Sequence, residues 1–299
     1  MDAGKAAGGG CGRMITEDAK QTPEARLGPR PDALFEVRSC RGLDELEACV
    51  ALQVATWGYD EMDVIPRRMF TVAQRIGGQV MGAFAADGTL AGFAMSIPGI
   101  REGRPYLHSH MLAVRAEFRN AGVGRRLKLA QREDALKRGI RLMEWTFDPL
   151  EIKNSFFNIE KLGAITHSYT PNFYGVSSAR IQGGRPTDRL HAEWWLDSER
   201  VVEAVAGRRP PRGGIESRIE LPHQVMQWKE SAEGAAEAMA LQRTNQARFA
   251  EAFARGLAVT GFSRDLEGNG WFELSRWTSS DERPTPSDRL PASPAAAAE

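Results

Sequence analysis

The side chains best equipped to move protons fall in a few short stretches of this chain. His108 and His110 are two residues apart in a strand-like run from Tyr106 to Val114, so a strand would present both imidazoles on one face. Imidazole titrates near neutral pH, which suits a base working on an ammonium group; the alternative is a histidine satisfied within the sheet. Glu144 lies inside Leu142-Met-Glu-Trp-Thr, where a carboxylate either faces solvent at a sheet edge or lines a cleft. Tyr169 and Tyr174 follow in Ser168-Tyr-Thr-Pro-Asn-Phe-Tyr-Gly. Each phenol is either an acid or a packing aromatic with a bonded hydroxyl. Pro171 and Gly175 put Tyr174 in a loop, which favours it over Tyr169 as the acid.

A second kind of chemistry is written in Arg119-Asn-Ala-Gly122-Val-Gly124-Arg-Arg. A strand ends here, the chain turns through small residues, and a helix begins. Glycines let backbone N–H groups approach an anion, and the first turn of a helix leaves such groups unpaired. A pyrophosphate fits such a turn. Two nucleotide readings fail on spacing. A P-loop needs Gly-Lys-Ser/Thr, but Arg125 and Arg126 follow Gly124; the dinucleotide fingerprint needs a third glycine where Leu127 stands.

The elements that must position these groups follow from periodicity. Phe35 begins a first strand, Leu43–Trp57 and Pro66–Ile76 read as helices, and Gln79–Ala86 and Thr89–Ile97 form a hairpin around Asp87-Gly88. After the strand Tyr106–Val114 come a helix from about Gly122 to Arg138, a strand Arg141–Phe147, a short helix Asn154–Leu162, and strands Ala164–Tyr169 and His191–Leu196. Arg208–Gly214 reads as a linker. Beyond it, Ile215–Leu221 is a strand, Ala232–Arg255 a helix, and Leu257–Asp265 with Trp271–Trp277 a hairpin. This order predicts a mixed α/β sheet covered by helices, with a smaller C-terminal extension. The expected divisions are a disordered tail over 1–32, a main domain over 33–207, the extension over 208–277 and a second disordered tail over 278–299.

Composition narrows the function classes. The chain has 299 residues, 42% hydrophobic, with 39 basic and 39 acidic side chains. That balance argues against a surface built to coat nucleic acid or anionic membrane. No apolar run approaches the ~20 residues of a spanning helix. Cys11, Cys40 and Cys49 have no metal-ligand spacing, so they read as reduced thiols of a cytoplasmic protein that holds no metal.

Arg-x-x-Gly-x-Gly at the strand-to-helix junction, Asn154, and Glu160-Lys-Leu-Gly163 after it together resemble the GNAT superfamily of CoA-dependent N-acyltransferases. The resemblance runs from about Phe35 to Leu196. With Asp188-Arg-Leu and the C-terminal helix and hairpin, the whole chain further resembles a bacterial GNAT subgroup of uncertain substrates, some of whose members look like amino-acid N-succinyltransferases. The resemblance implies acyl-CoA as co-substrate, acetyl-CoA or succinyl-CoA. By position, it implies that backbone groups of Leu112 and Val114 meet the pantetheine arm. N–H groups of Asn120, Ala121, Gly122, Val123, Gly124 and Arg125 would hold the pyrophosphate. Arg119 would brace it, Asn154 would fix the pantetheine side, and Arg125, Arg126 and Lys128 would either meet the 3′-phosphate or form a solvated helix face.

Amine acylation also needs an acid for the departing thiolate. The resemblance places a tyrosine just before Glu-Lys-Leu-Gly, where this chain has Ile159. The acid is therefore unassigned, with His108, His110, Glu144, Tyr174 and Tyr169 the candidate catalytic set. Arg185 and Arg189 could hold a carboxylate of the acceptor or of the acyl group. The expected acceptor is a small-molecule amine such as an amino acid, taken in a ternary complex, because no Cys or Ser sits in a nucleophile motif. A non-catalytic acyl-CoA sensor of the same fold is the rival reading. The C-terminal extension either shapes the acceptor cleft or forms a homodimer interface.

Overall fold

The computed structural model describes residues 35–175 and 184–277; the expectations for 1–32 and 278–299 lie outside them. Seven strands form one sheet in the order β1-β2-β3-β4-β5-β7-β6. They are β1 (Phe35–Ser39), β2 (Gln79–Ala85), β3 (Leu90–Arg101), β4 (Arg104–Val114), β5 (Leu142–Phe147), β6 (Tyr169–Thr170) and β7 (Arg189–Trp195). Every pairing is antiparallel except β4 with β5.

Two helices cover one face, α1 (Gly42–Trp57) and α2 (Arg67–Arg75). Beneath them Phe70, Phe93, Met95, Met111 and Ala113 form a buried cluster with Leu46, Cys49 and Leu52. Cys40 and Cys49 are buried free thiols. The other face carries α3 (Val123–Lys137), whose Val123 and Leu127 pack on Met81, Ala83, Ala91 and Ala94. On this face α4 (Ile152–Phe156) runs directly into a π-helical turn, Phe157–Lys161. The expected single helix is thus split. The wide turn, closed by Leu162 N–H on Phe157 O (3.0 Å), rolls Ile159 fully into the core.

The β3–β4 hairpin is longer than the sequence suggested. Glu102 (φ 52°) and Gly103 (φ 74°) make a two-residue turn of positive φ that carries pairing past Pro98 and Pro105, from Gly92↔Val114 to Arg101↔Arg104. The strands expected to end at Ile97 and to begin at Tyr106 are thus joined through a ladder that includes both prolines. Ala164–Tyr169 is not one strand. Ile165 bridges to Glu193 in the main sheet and Thr166 to Val259 in a second sheet, so consecutive residues serve different neighbours.

That second sheet is β8 (Ser217–Leu221), β10 (Gly270–Arg276) and β9 (Leu257–Arg264), in that order. Its core is continuous with that of the main sheet: Ile219, Phe249, Val259 and Phe272 share one buried cluster with Met143, Trp145 and Trp194. The helix expected over 232–255 is α7 (Ala235–Ala254), preceded by α6 (Val225–Glu230). Helix α5 (Glu199–Val205) was also not anticipated, although Ser198 is a serviceable N-cap, its Oγ accepting from Val201 N–H.

Candidate active site

Strands β4 and β5 part company almost at once. Their parallel pairing holds at Leu107↔Met143 and His108↔Glu144, and from Ser109 onward no strand among the described residues pairs with that edge of β4. A cleft therefore opens toward the C-terminal ends of both strands. Arg115 N–H bonds Ala91 O on β3 (2.9 Å), so by alternation the backbone groups of Val114 and Leu112 turn the opposite way, into the cleft. Arg119 Nε reaches Val114 O at 3.3 Å, bracing the strand end at the mouth.

The Gly turn sits at that mouth. Asn120 (φ 64°) and Gly122 (φ 77°) both take left-handed conformations, and no side chain caps the start of α3. A Cβ on Gly124 would meet Leu112 Cδ2 at 3.5 Å, which shows how closely the helix start lies on the strand end. The N–H groups from Ala121 to Arg125 thus gather beside the cleft with the helix dipole behind them. Arg125 donates to Val205 O, and Arg126 to Phe35 O at 2.7 Å. Both guanidinium groups are tied to backbone carbonyls. Asn154 is exposed on α4, its amide oxygen accepting from Asn158 Nδ2 at 3.4 Å.

The α1/α2 side of the cleft is polar. A register shift between Met95/Ser96 and Met111/Ser109 places a bulge at His110. His108 and His110 both lie on this side, their rings 6.1 Å apart. Burial is the main cause holding the His108 pKa down at about 4, aided by the nearby His110, Lys128 and His191; burial likewise lowers His110. Burial thus disfavours the charged form of both rings. His108 lies opposite Glu144, which lies opposite Glu193, and Thr146 lies opposite His191, so these five side chains share one face.

Arg101, from the end of β3, bridges Glu144 and Glu193, the latter at 2.7 Å. Glu193 also meets His167 Nε2 and Trp195 Nε1, each at 3.1 Å. Burial raises the Glu144 pKa against the lowering pull of Arg101, while the combined hydrogen bonds of His167 and Arg101 lower Glu193 despite its burial. Tyr174 joins the same face from its loop. Its hydroxyl is 2.9 Å from Thr146 Oγ1, and the Arg189 guanidinium lies 5.4 Å from its ring centroid.

The expected set is thus brought together only in part. His108, His110, Glu144 and Tyr174 share the cleft. Tyr169 does not: it pairs with Leu190, faces the opposite core, stacks on Phe249, and donates to Asp188 Oδ2 at 2.6 Å. Burial and Asp188 together raise its pKa. The reason is register, since strand position fixes the face. Arg185 is likewise buried, with Asp148 and Glu151 as its electrostatic neighbours, and Arg189 alone of that pair reaches the cleft. Lys128 is neither solvated nor near a phosphate position: it is 4% exposed, beneath the cleft.

Arg101, Thr146, His191 and Glu193 were missed. Arg189, His191, Glu193 and Trp195 alternate along β7, so a polar face was written in the sequence. A separate cavity of about 570 Å3 lies between α4, the linker and β9, lined by Phe156, Arg209, Phe262 and Arg264 among others.

Residues 47–163 match the family model of the Acetyltransferase (GNAT) family. This segment is a GNAT domain. No curated protein matches the chain. Solved structures resembling it include N-acetyltransferase from Staphylococcus aureus Mu50, at 17% identity and TM-score 0.44, covering 55% of this chain and 99% of that one. Another is ribosomal-protein-S18-alanine N-acetyltransferase from Escherichia coli, at 14% and 0.43, covering 62% and 99%. A third is yncA from Salmonella typhimurium with its cofactor acetyl-CoA, at 17% and 0.43, covering 55% and 95%. Among the described residues, no helix is long and apolar enough to cross a membrane and no group of His, Cys, Asp and Glu could hold a metal ion.

Proposed function

We propose that the GNAT domain transfers an acyl group, acetyl or succinyl, from acyl-CoA directly to the amine of a small molecule such as an amino acid. The observation that carries this reading is the cleft between β4 and β5, with an uncapped glycine turn at its mouth and two neutral histidines on one wall. The pantetheine arm lies along Leu112 and Val114, and the pyrophosphate rests on the N–H groups from Asn120 to Arg125, with Arg119 and Asn154 flanking.

The acceptor approaches from the α1/α2 side. His108 or His110 takes its proton, and the amine attacks the thioester carbonyl, polarised by Val114 N–H. Arg189 supplies a cation at the edge of that face, suited to the carboxylate of an amino acid. Glu144 is held by Arg101 and shapes the wall, while Tyr174 offers a hydroxyl at its rim. The chemistry needs neither a metal nor a covalent enzyme intermediate, and the solvent of the cytoplasm suits its donors.

Thermal unfolding with CoA, acetyl-CoA and succinyl-CoA tests the donor site. Ligand at ~100 times its dissociation constant should add about 2.7 kcal/mol of stability. The shift should vanish in Gly122→Trp, whose bulk and strained φ close the turn. No shift with any CoA in the parent would refute the reading. A shift without thiol release toward any amine would leave an acyl-CoA sensor instead.

A further inference from the structure

Lys128 occupies a place that packing alone does not explain. It stands on α3, is 4% exposed, and no carboxylate among the described residues pairs with it. Its Nζ donates to Ser109 Oγ at 2.7 Å and lies 3.7 Å from the centroid of the Trp145 ring. Ser109 and Trp145 directly follow His108 and Glu144, the last residues at which β4 and β5 pair. The amine therefore sits at the apex of the cleft, held by one residue from each diverging strand. An acyl group inserted between these strands ends against it.

The groups around Nζ are few. From β4 come Ser109 and, across the sheet, His108; from β5 comes Trp145; from α3 comes Gln131, whose Oε1 accepts from Ser109 Oγ at 3.1 Å. Burial lowers the amine's pKa to about 7, whereas the π face of Trp145 favours its protonated form. A buried ammonium without a counter-ion is costly, and a fold keeps one where a negative charge will appear. In acyl transfer that charge appears on sulfur. The position that would supply a tyrosine holds Ile159, fully buried in the same cluster as Trp145.

On the reading of the cleft as an acyl-CoA site, we propose that Lys128 is the proton donor to the departing CoA thiolate. The acceptor nitrogen forms a bond to the carbonyl carbon and the C–S bond breaks. The electron pair goes to sulfur, which takes a proton from Lys128 Nζ, leaving a neutral amine. The proton lost by the acceptor goes to a cleft histidine. Lys128 regains a proton from solvent after CoA leaves and the cleft opens.

The test needs no acceptor. CoA itself is bound to the parent, to Lys128→Met and to Lys128→Arg, and ionisation of its thiol is followed by the ultraviolet absorbance of the thiolate. An ammonium touching sulfur should lower the proton affinity of the bound thiol about tenfold, so that it ionises about one pH step lower in the parent complex than in the Lys128→Met complex. Lys128→Arg, a fixed cation, should keep the lowered value. With an amine acceptor in hand, Lys128→Met and Lys128→Arg should both lose about 10²-fold or more in turnover while CoA affinity stays within a few-fold. Equal thiol ionisation in the parent and Lys128→Met complexes would overturn the proposal, as would loss of CoA binding in a folded Lys128→Met protein. Absence of CoA binding in the parent would instead overturn the acyl-CoA reading and this inference with it.

Discussion

The two faces of the sheet around the cleft are built on opposite principles. On the α1/α2 side, His108, His110, Glu144, Thr146, His191 and Glu193 form a continuous polar wall closed by Arg101 and Tyr174. On the α3 side, Met143, Trp145, Phe147, Leu190, Ala192 and Trp194 are dry core, and Lys128 is the charged group set under the strand split. Strand alternation produces both faces from the same residues in sequence. The polar wall shares charge among partners, so removing one member leaves others. On the dry face Lys128 stands under the strand split with no ion-pair partner among the described residues, so its energetics depend steeply on protonation.

The largest expected effect probes that dry face. Lys128 has its pKa lowered from 10.5 to about 7 in the native state, so between those values the unfolded chain binds the extra proton. Stability contributed by this group should rise with pH from about 7 to 10.5, and the burden of the buried charge is fully present below pH 7. Lys128→Met should therefore be more stable than the parent by about 5 kcal/mol near pH 6, the gap shrinking toward pH 10. Chemical denaturation at several pH values checks this; a pH-independent gap would contradict it.

The polar wall has its own, smaller titration. With the His108 pKa held near 4 rather than 6.5, the unfolded state again binds more protons, now between those two values. The parent should lose about 3 kcal/mol from this group as pH falls from 6.5 to 4, and His108→Gln should be spared that loss in the same denaturation series. Arg101→Met sharpens the contrast. It strips Glu144 of its cation but leaves Glu193 with His167 and Trp195, so a cost of about 2 kcal/mol at pH 7 is expected, less than for a fully buried pair. A cost above that of a fully buried pair would mean the wall does not share its charge.

The smallest effects separate the two tyrosines. Tyr169→Phe removes a 2.6 Å bond to buried Asp188 and should cost about 1–2 kcal/mol in a melt, with CoA affinity unchanged. Tyr174→Phe, on an exposed loop, should cost under about 0.5 kcal/mol, and any fall in turnover would then report its place on the cleft rim. Reversal of that order would contradict the assignment of the two rings to opposite faces.

Much of this was legible before any coordinates. Local chemistry wrote the glycine turn, the helix that follows it and the paired histidines, because positive φ, unpaired N–H groups and a period of two are properties of neighbouring residues. The same locality explains the errors. The strands were expected to end at Ile97 and begin at Tyr106 although the turn at Glu102-Gly103 carries the ladder between them, and Ala164–Tyr169 was read as a strand although its pairing partners lie in two different sheets.

What the sequence determined by itself was most of the order of elements, a mixed α/β fold and a glycine turn between a strand and a helix. Only tertiary structure decided that β4 and β5 separate after His108, that Arg101 closes Glu144 and Glu193 into one wall, and that Tyr169 turns away from Tyr174. It also decided the fate of Lys128, which the sequence offered as one more cation on a helix face. Burial and pairing depend on residues far apart along the chain: Ser109 and Trp145 meet one amine because two strands diverge, and no local pattern carries that information.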